Sequence, residues 1–163
     1  MTEPMITLEW LREHGAWEDS TWAWEDRFGD RATVADTVKW LHERGEGYWE
    51  AWLLAQTPEM TKAALAAGAD VHAANDEALV KVAKEGYAEL AKILCAAGID
   101  VNAQDGAALR AAVLCGHRGI VKELRAAGAD FSVIDADLLV QAKDDGDAEV
   151  VNYVKAVMEG KDV

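Results

Sequence analysis

Apolar residues recur in this chain with two periods at once. Within short windows they fall three and four residues apart, as on one face of a helix. Across windows they return after thirty residues, in the series Leu79, Leu109, Leu139 and the series Met60, Leu90, Ile120, Val150. Two glycine columns hold the same phase: Gly68-Ala69-Asp70, Gly98-Ile99-Asp100 and Gly128-Ala129-Asp130 form one, and Gly86, Gly116 and Gly146 the other. Four columns in register are the signature of a stacked repeat, in which each unit covers the apolar face of its neighbour. Molecules of this kind present surfaces and seldom carry chemistry.

Residues 99–128 serve as the reference unit. Asp100-Val101-Asn102-Ala103-Gln104-Asp105 is short and polar, with turn-forming Asn and Asp. An alanine-rich stretch from Ala107 to Cys115 follows, with Leu109, Ala112 and Val113 at helical spacing and Gly116 as its C-terminal stop. A second helix runs from Gly119 to Ala127, with Ile120, Val121 and Leu124 inward and Lys122, Glu123 and Arg125 outward, and Gly128 closes it. The unit predicts turn, helix, glycine, helix, glycine.

These residues resemble an ankyrin repeat. The resemblance rests on GHRGIVKEL (116–124), AAGAD (126–130) and GIDVNAQD (98–105), repeated as GADVHAAND and EALVKVAKEGYAELAKILCAAG over residues 68–98. It covers about 48–158 and implies an all-α solenoid of stacked helix pairs. The family's unit is about 33 residues long and opens its first helix with Thr-Pro-Leu-His. Here that tetrapeptide is missing, and Asn75-Asp76-Glu77-Ala78-Leu79 and Asp105-Gly106-Ala107-Ala108-Leu109 stand in its place. The hairpin between units is therefore expected to be shorter than usual. Short units of this kind are similar to those common in large DNA viruses, phages and some microbes.

The phase extends in both directions. Tyr48–Ala55 fills a first-helix slot, and Thr57-Pro58-Glu59-Met60 opens a second helix with a capping Thr and a Pro at its first position. The expected units are 46–68, 69–98, 99–128 and 129–160. The last carries Asp144, Asp145 and Asp147, a polar outer face suited to a C-terminal cap.

Residues 1–45 have another composition. All seven tryptophans lie within the first 52 residues, and helices are expected at about 4–14, 20–28 and 34–44, the third capped by Thr33. Thr7-Leu8-Glu9-Trp10-Leu11-Arg12-Glu13-His14-Gly15 echoes Thr37-Val38-Lys39-Trp40-Leu41-His42-Glu43-Arg44-Gly45, out of phase with the repeat columns. Most of the indoles are expected to cover the open end of the stack, each ring burying about 150–250 Å². Trp17 and Trp24 are the two singled out as exposed binding anchors, since tryptophan is enriched in interface hot spots.

The net charge of −14 is unevenly spread: −7 over residues 1–50, −2 over 51–98, +1 over 99–129 and −6 over 130–163. This excludes a basic footprint for direct contact with nucleic acid. It permits a basic protein partner, or acidic ends that imitate phosphate rows. No apolar run approaches the roughly 18 residues needed for a membrane span. Met1-Thr2-Glu3-Pro4 lacks the basic and apolar regions of a secretion signal, so a cytoplasmic location is expected, host cytoplasm for a viral protein. Cys95 and Cys115 make no CxxC pair, and His14, His42, His72 and His117 lack metal-site spacing. No phosphate-loop, dinucleotide, zinc-protease or serine-elbow motif is present. No catalytic residue, metal or cofactor is expected, and Cys95 with His117 falls at opposite ends of a layer.

What remains is a protein-binding module. In ankyrin proteins the turn tips and the exposed side of each first helix form a concave recognition face. Carried over by position, the tips are His72, Asn75, Asp76, Gln104, Asp105, Ile134 and Asp135, and the first-helix positions are Lys84, Glu85, Leu114, Cys115, Asp144 and Asp145. The centre reads as apolar, through Leu114, Cys115 and Ile134, and the C-terminal side as acidic. The resulting expectation is a small cytoplasmic adaptor or inhibitor, of phage or bacterial kind, that occludes a site on a larger protein. The alternatives are an acidic nucleic-acid mimic that blocks a nucleic-acid-binding protein, and a structural or oligomerising repeat.

Overall fold

Two layers of helices carry the periodic apolar residues. The computed structural model describes residues 4–16, 18–144 and 148–161, with the side chains of 18–20, 143 and 144 left aside. In chain order the elements are β1 (Met5–Thr7), α1 (Leu8–Glu13), α2 (Glu18–Phe28), β2 (Arg31–Thr33), α3 (Val34–Arg44), α4 (Gly47–Leu54) and α5 (Pro58–Ala66). They continue as α6 (Ala73–Glu85), α7 (Ala88–Ala96), α8 (Ala103–Leu114), α9 (Arg118–Ala126), a 3₁₀ turn (Phe131–Val133), α10 (Ala136–Asp144) and α11 (Ala148–Met158). First helices pack in the order α4, α6, α8, α10, and second helices in the order α5, α7, α9, α11. The protein is an all-α solenoid of stacked helix pairs, with a two-stranded ribbon at its front.

The aliphatic columns are the inter-unit core. Leu79, Leu109 and Leu139 are buried in the first-helix layer, and Met60, Leu90, Ile120 and Val150 in the second. Truncating one of the buried Leu, Ile or Met positions to Ala typically costs about 2–5 kcal/mol.

The Gly-X-Asp column has a backbone cause. Gly68, Gly98 and Gly128 all sit at φ near +90° (89°, 90° and 90°), a left-handed conformation that ends the second helix. The aspartate two residues on then ties the turn. Its Oδ1 accepts from the backbone N–H two positions later, at His72 (2.9 Å), Asn102 (2.9 Å) and Ser132 (2.8 Å). Its own N–H donates to a side chain of the preceding unit. Asp70 N reaches Glu50 Oε2 at 2.9 Å, Asp100 N reaches Asp76 Oδ1 at 3.0 Å, and Asp130 N reaches Asn102 Oδ1 at 2.8 Å. The column is thus one rung of hydrogen bonds per unit, linking each turn to the unit before it.

Where a short hairpin was expected, the chain makes a left-handed turn instead. Ala74, Asn75 and Asp76 have φ of 51°, 59° and 61°, and Gln104, Asp105 and Gly106 have 54°, 56° and 69°. Left-handed backbone costs a non-glycine residue roughly 1–2 kcal/mol. Asn, Asp and Gly tolerate it best, and they supply four of the six positions. The deletion relative to a full-length unit therefore removes the protruding hairpin and leaves a flat edge.

The front differs from its expectation in a pair of short strands. Met5–Thr7 is a strand, not the start of a helix, and pairs antiparallel with β2 in the register Met5↔Thr33, Ile6↔Ala32, Thr7↔Arg31. Thr7 Oγ1 accepts from Trp10 N at 3.1 Å and caps α1; Thr33 Oγ1 accepts from Asp36 N at 3.0 Å and caps α3. The structure thus repeats strand, Thr cap and helix at a spacing of 26 residues, from Thr7 to Thr33, whereas the thirty-residue sequence echo matches Thr7 with Thr37, inside α3. Ile6 and Ala32 are buried under it, and α3 packs on α4 and α5, joining the front to the stack.

Candidate functional site

The candidate face is the first-helix layer with its turns. His72, Asn75, Lys84, Glu85, Gln104, Asp105, Cys115 and Asp135 are exposed on it, and Leu114 is half-buried. Several also serve the stack. Gln104 Nε2 donates to the Asn75 carbonyl at 2.8 Å and to Glu77 Oε2 at 3.2 Å, joining two turns across units. Asp135 Oδ1 accepts from Leu138 N at 2.8 Å and opens α10.

Three expected contact residues are buried and leave the face. Ile134 is 2% exposed, because the turn after Phe131 folds it into the core and not onto a tip. Asp76 is 6% exposed. Its Oδ1 accepts from His72 Nδ1–H at 2.8 Å and from Asp100 N, so it fastens two units together. Trp24 is 2% exposed, with its Nε1–H donating to Thr37 Oγ1 at 3.2 Å. On α2 it shares an inward face with Thr21 and Phe28, and Trp22, 78% exposed, points the other way. Trp17, Asp145 and Gly146 lie outside the described residues, as does the side chain of Asp144. The apolar centre thus shrinks to Leu114 and Cys115.

The structure adds residues that sequence reasoning missed. A shallow depression of about 210 Å³ between α4 and α6 is lined by Tyr48, Ala51, Trp52, Glu77, Lys81 and Lys84. Lys81 Nζ sits 5.6 Å from the centre of the Trp52 ring. Partial burial lowers its pKa from the ordinary lysine value, and Glu85 pulls in the opposite direction. Arg110, on α8, is exposed and its Nη1 donates to the Val133 carbonyl at 3.5 Å. A helical count from Lys84 would have found Lys81 and Glu77, one and two turns upstream on the same stripe.

Little here suits catalysis. Cys95 is half-buried, and desolvation, then the charge of Glu123, pushes its thiol pKa up, away from the reactive thiolate. His117 lies over Gly86 with Nε2–H donating to the Lys84 carbonyl at 3.0 Å, a contact between units. Among the described residues, His, Cys, Asp and Glu form no group of three or more able to hold a metal ion.

A family model for ankyrin repeats, in three copies, matches residues 35–135. The chain belongs to the ankyrin-repeat family. Its match begins inside α3 and runs to the start of α10, so it spans the whole first-helix layer up to the last unit. No curated protein matches the chain. Ankyrin repeats are generally protein–protein interaction modules, and the family is typically non-enzymatic. Among the described residues, no helix of this ankyrin stack is long and apolar enough to cross a membrane.

Proposed function

We propose that this ankyrin protein is a cytoplasmic adaptor or inhibitor that occludes a site on a larger protein through its first-helix face. Residues 1–45 act as the N-terminal cap and 46–160 as the repeats. The observation that carries this reading is the mixed chemistry of one continuous surface. Tyr48, Trp52 and Lys81 border the depression at one end, Gln104 and Arg110 lie in the middle, and Leu114 and Cys115 follow. Aromatic and arginine groups beside apolar ones are enriched at protein interfaces. Loss of the hairpins leaves a shallow face, which suits a helix or a folded surface better than an extended peptide. Lys81, Lys84 and Arg110 interrupt any acidic row on this face, which counts against charge mimicry by it.

The test is affinity capture from the native host's lysate with three proteins: the parent chain, the face variant Tyr48→Ala/Leu114→Asp, and the second-helix variant Lys92→Glu. A prey held by the parent and by Lys92→Glu through a high-salt wash, and lost with the face variant, supports the reading. A prey indifferent to the face variant but released by about 200 mM salt points to charge-driven binding elsewhere and overturns it.

A further inference from the structure

We propose that the cavity beneath the tryptophan cluster is a binding site for a neutral aromatic ring system, two fused rings at most. The cavity measures about 200 Å³, is partly open to solvent and is lined from β1, α1, α2, α3 and α4, with Trp52 standing between it and the depression on the repeat face. Trp24, Trp40, Trp49, Trp52, Leu41 and Leu53 are among the large apolar side chains of its wall. The size is informative. A cavity of roughly 150 Å³ lined by Leu, Ile and Phe stays dry and accepts benzene, so this one has room for a bicyclic ring.

The wall chemistry selects the class of ligand. Two of its indoles already meet edge to face, Trp49 on Trp52 at 5.5 Å and 70°, and Trp10, outside the wall, meets Trp52 in the same way at 5.7 Å and 69°. Another ring entering among them meets both faces and edges, the two arrangements that aromatic pairs favour. The polar groups favour a neutral guest. Thr37 Oγ1 is engaged, accepting from Trp24 Nε1–H and donating to the Thr33 carbonyl at 3.0 Å. At the rim, Arg44 and Glu46 pair at 3.4 Å, and the guanidinium also lies 5.0 Å from the centre of the Trp40 ring. The two charges offset each other and offer no net attraction to an anion or a cation. A largely apolar concavity with a few placed polar groups is the usual form of a small-ligand site.

The test uses the intact chain, with indole as the free ring and N-acetyl-Gly-Trp-Gly-amide as a ring carried on a peptide. Binding is followed by calorimetry and by the indole N–H signals of the tryptophans. Two filling variants, Ala23→Leu on α2 and Leu41→Phe on α3, narrow the cavity from different sides; Trp22→Ala, exposed and outside it, is the control. Indole is expected to shift the signals of Trp24, Trp40, Trp49 and Trp52, to leave Trp22 unmoved and to raise Tm by mass action. Each filling variant is expected to melt no earlier than the parent and to bind indole at least about tenfold more weakly, because its added methylenes occupy the ring's volume. Binding of indole alone assigns the site to free rings, and binding of the peptide as well extends it to rings borne on a chain. No shift at the solubility limit of indole, or shifts undiminished in both filled variants, overturns the proposal.

Discussion

A single buried carboxylate shows how much of the stack's cohesion rests on side chains that look like loop decoration. Asp76 receives a backbone N–H from the next unit and a histidine N–H from its own turn. Glu50, 2% exposed, does the same work one unit earlier, with Asp70 N on Oε2 and His42 Nδ1 3.4 Å from Oε1. Removing such an acceptor leaves a part-buried donor unpaired, which costs more than the bond's net worth. Asp76→Ala is expected to lower stability by about 2 kcal/mol, read as a reduced urea midpoint with little change in slope. Asp76→Asn keeps an oxygen for Asp100 N and should lose less than half of that. A loss within about 0.5 kcal/mol for Asp76→Ala would mean that water replaces the carboxylate at no cost. The sequence marked Asp76 as polar and turn-forming, and that was legible. Its burial was not, because the acceptors Glu50, Asp76 and Asn102 lie 20, 24 and 28 residues before their donors and so form no column. Ile134 and Trp24 were misread for a related reason. Position within a turn or helix was visible in the sequence, whereas the direction in which each side chain points depends on the neighbouring unit.

Helices and their ends were far more legible, since apolar periodicity and glycine stops are local. The cap of α5 is a case in point: Thr57 Oγ1 accepts from Met60 N at 3.2 Å ahead of Pro58, as the residue types imply. The ribbon at the front was not legible, because Met5–Thr7 and Arg31–Thr33 are three residues each and carry no alternation long enough to register. The left-handed turns were hidden too, since they answer a deletion that shortens the connection. Glycine at the end of a first helix, by contrast, was visible as a column, and Gly86 shows why the position resists change. It has φ +84°, and a Cβ there would lie 2.7–3.0 Å from the His117 ring. Gly86→Ala therefore carries about 1 kcal/mol for the left-handed backbone and about 1–2 kcal/mol for displacing the imidazole. The double variant Gly86→Ala/His117→Ala should recover the second part but not the first, a coupling that a double-mutant cycle in urea measures directly. Strict additivity of the two substitutions would show that the ring moves aside freely.

Charge along the whole molecule was legible in the sequence as two acidic ends, and the structure gives the C-terminal one a specific consequence. Asp130 has its pKa held below the ordinary carboxylate value, first by the Ser132 N–H and then by the Ser132 side chain. Glu159 is lowered too, first by its hydrogen bond with Lys161 and then by that ammonium's charge. A carboxyl group whose folded pKa lies below its unfolded one stabilises the fold above the unfolded value, and the benefit disappears as pH falls through the folded one. Both groups flank the last unit, so its helices α10 and α11 should loosen below about pH 4 before α7 to α9 do. Both carboxylates are fully exposed, and salt should shrink the effect. Amide exchange across pH 5 to 3, compared between the parent and Asp130→Asn, reads it directly. The amide variant keeps an oxygen for the Ser132 N–H but cannot titrate, so its last unit should show a flatter profile and meet the parent at the acid end. Identical profiles would move the origin of acid loosening from the Asp130 turn to the general loss of negative charge.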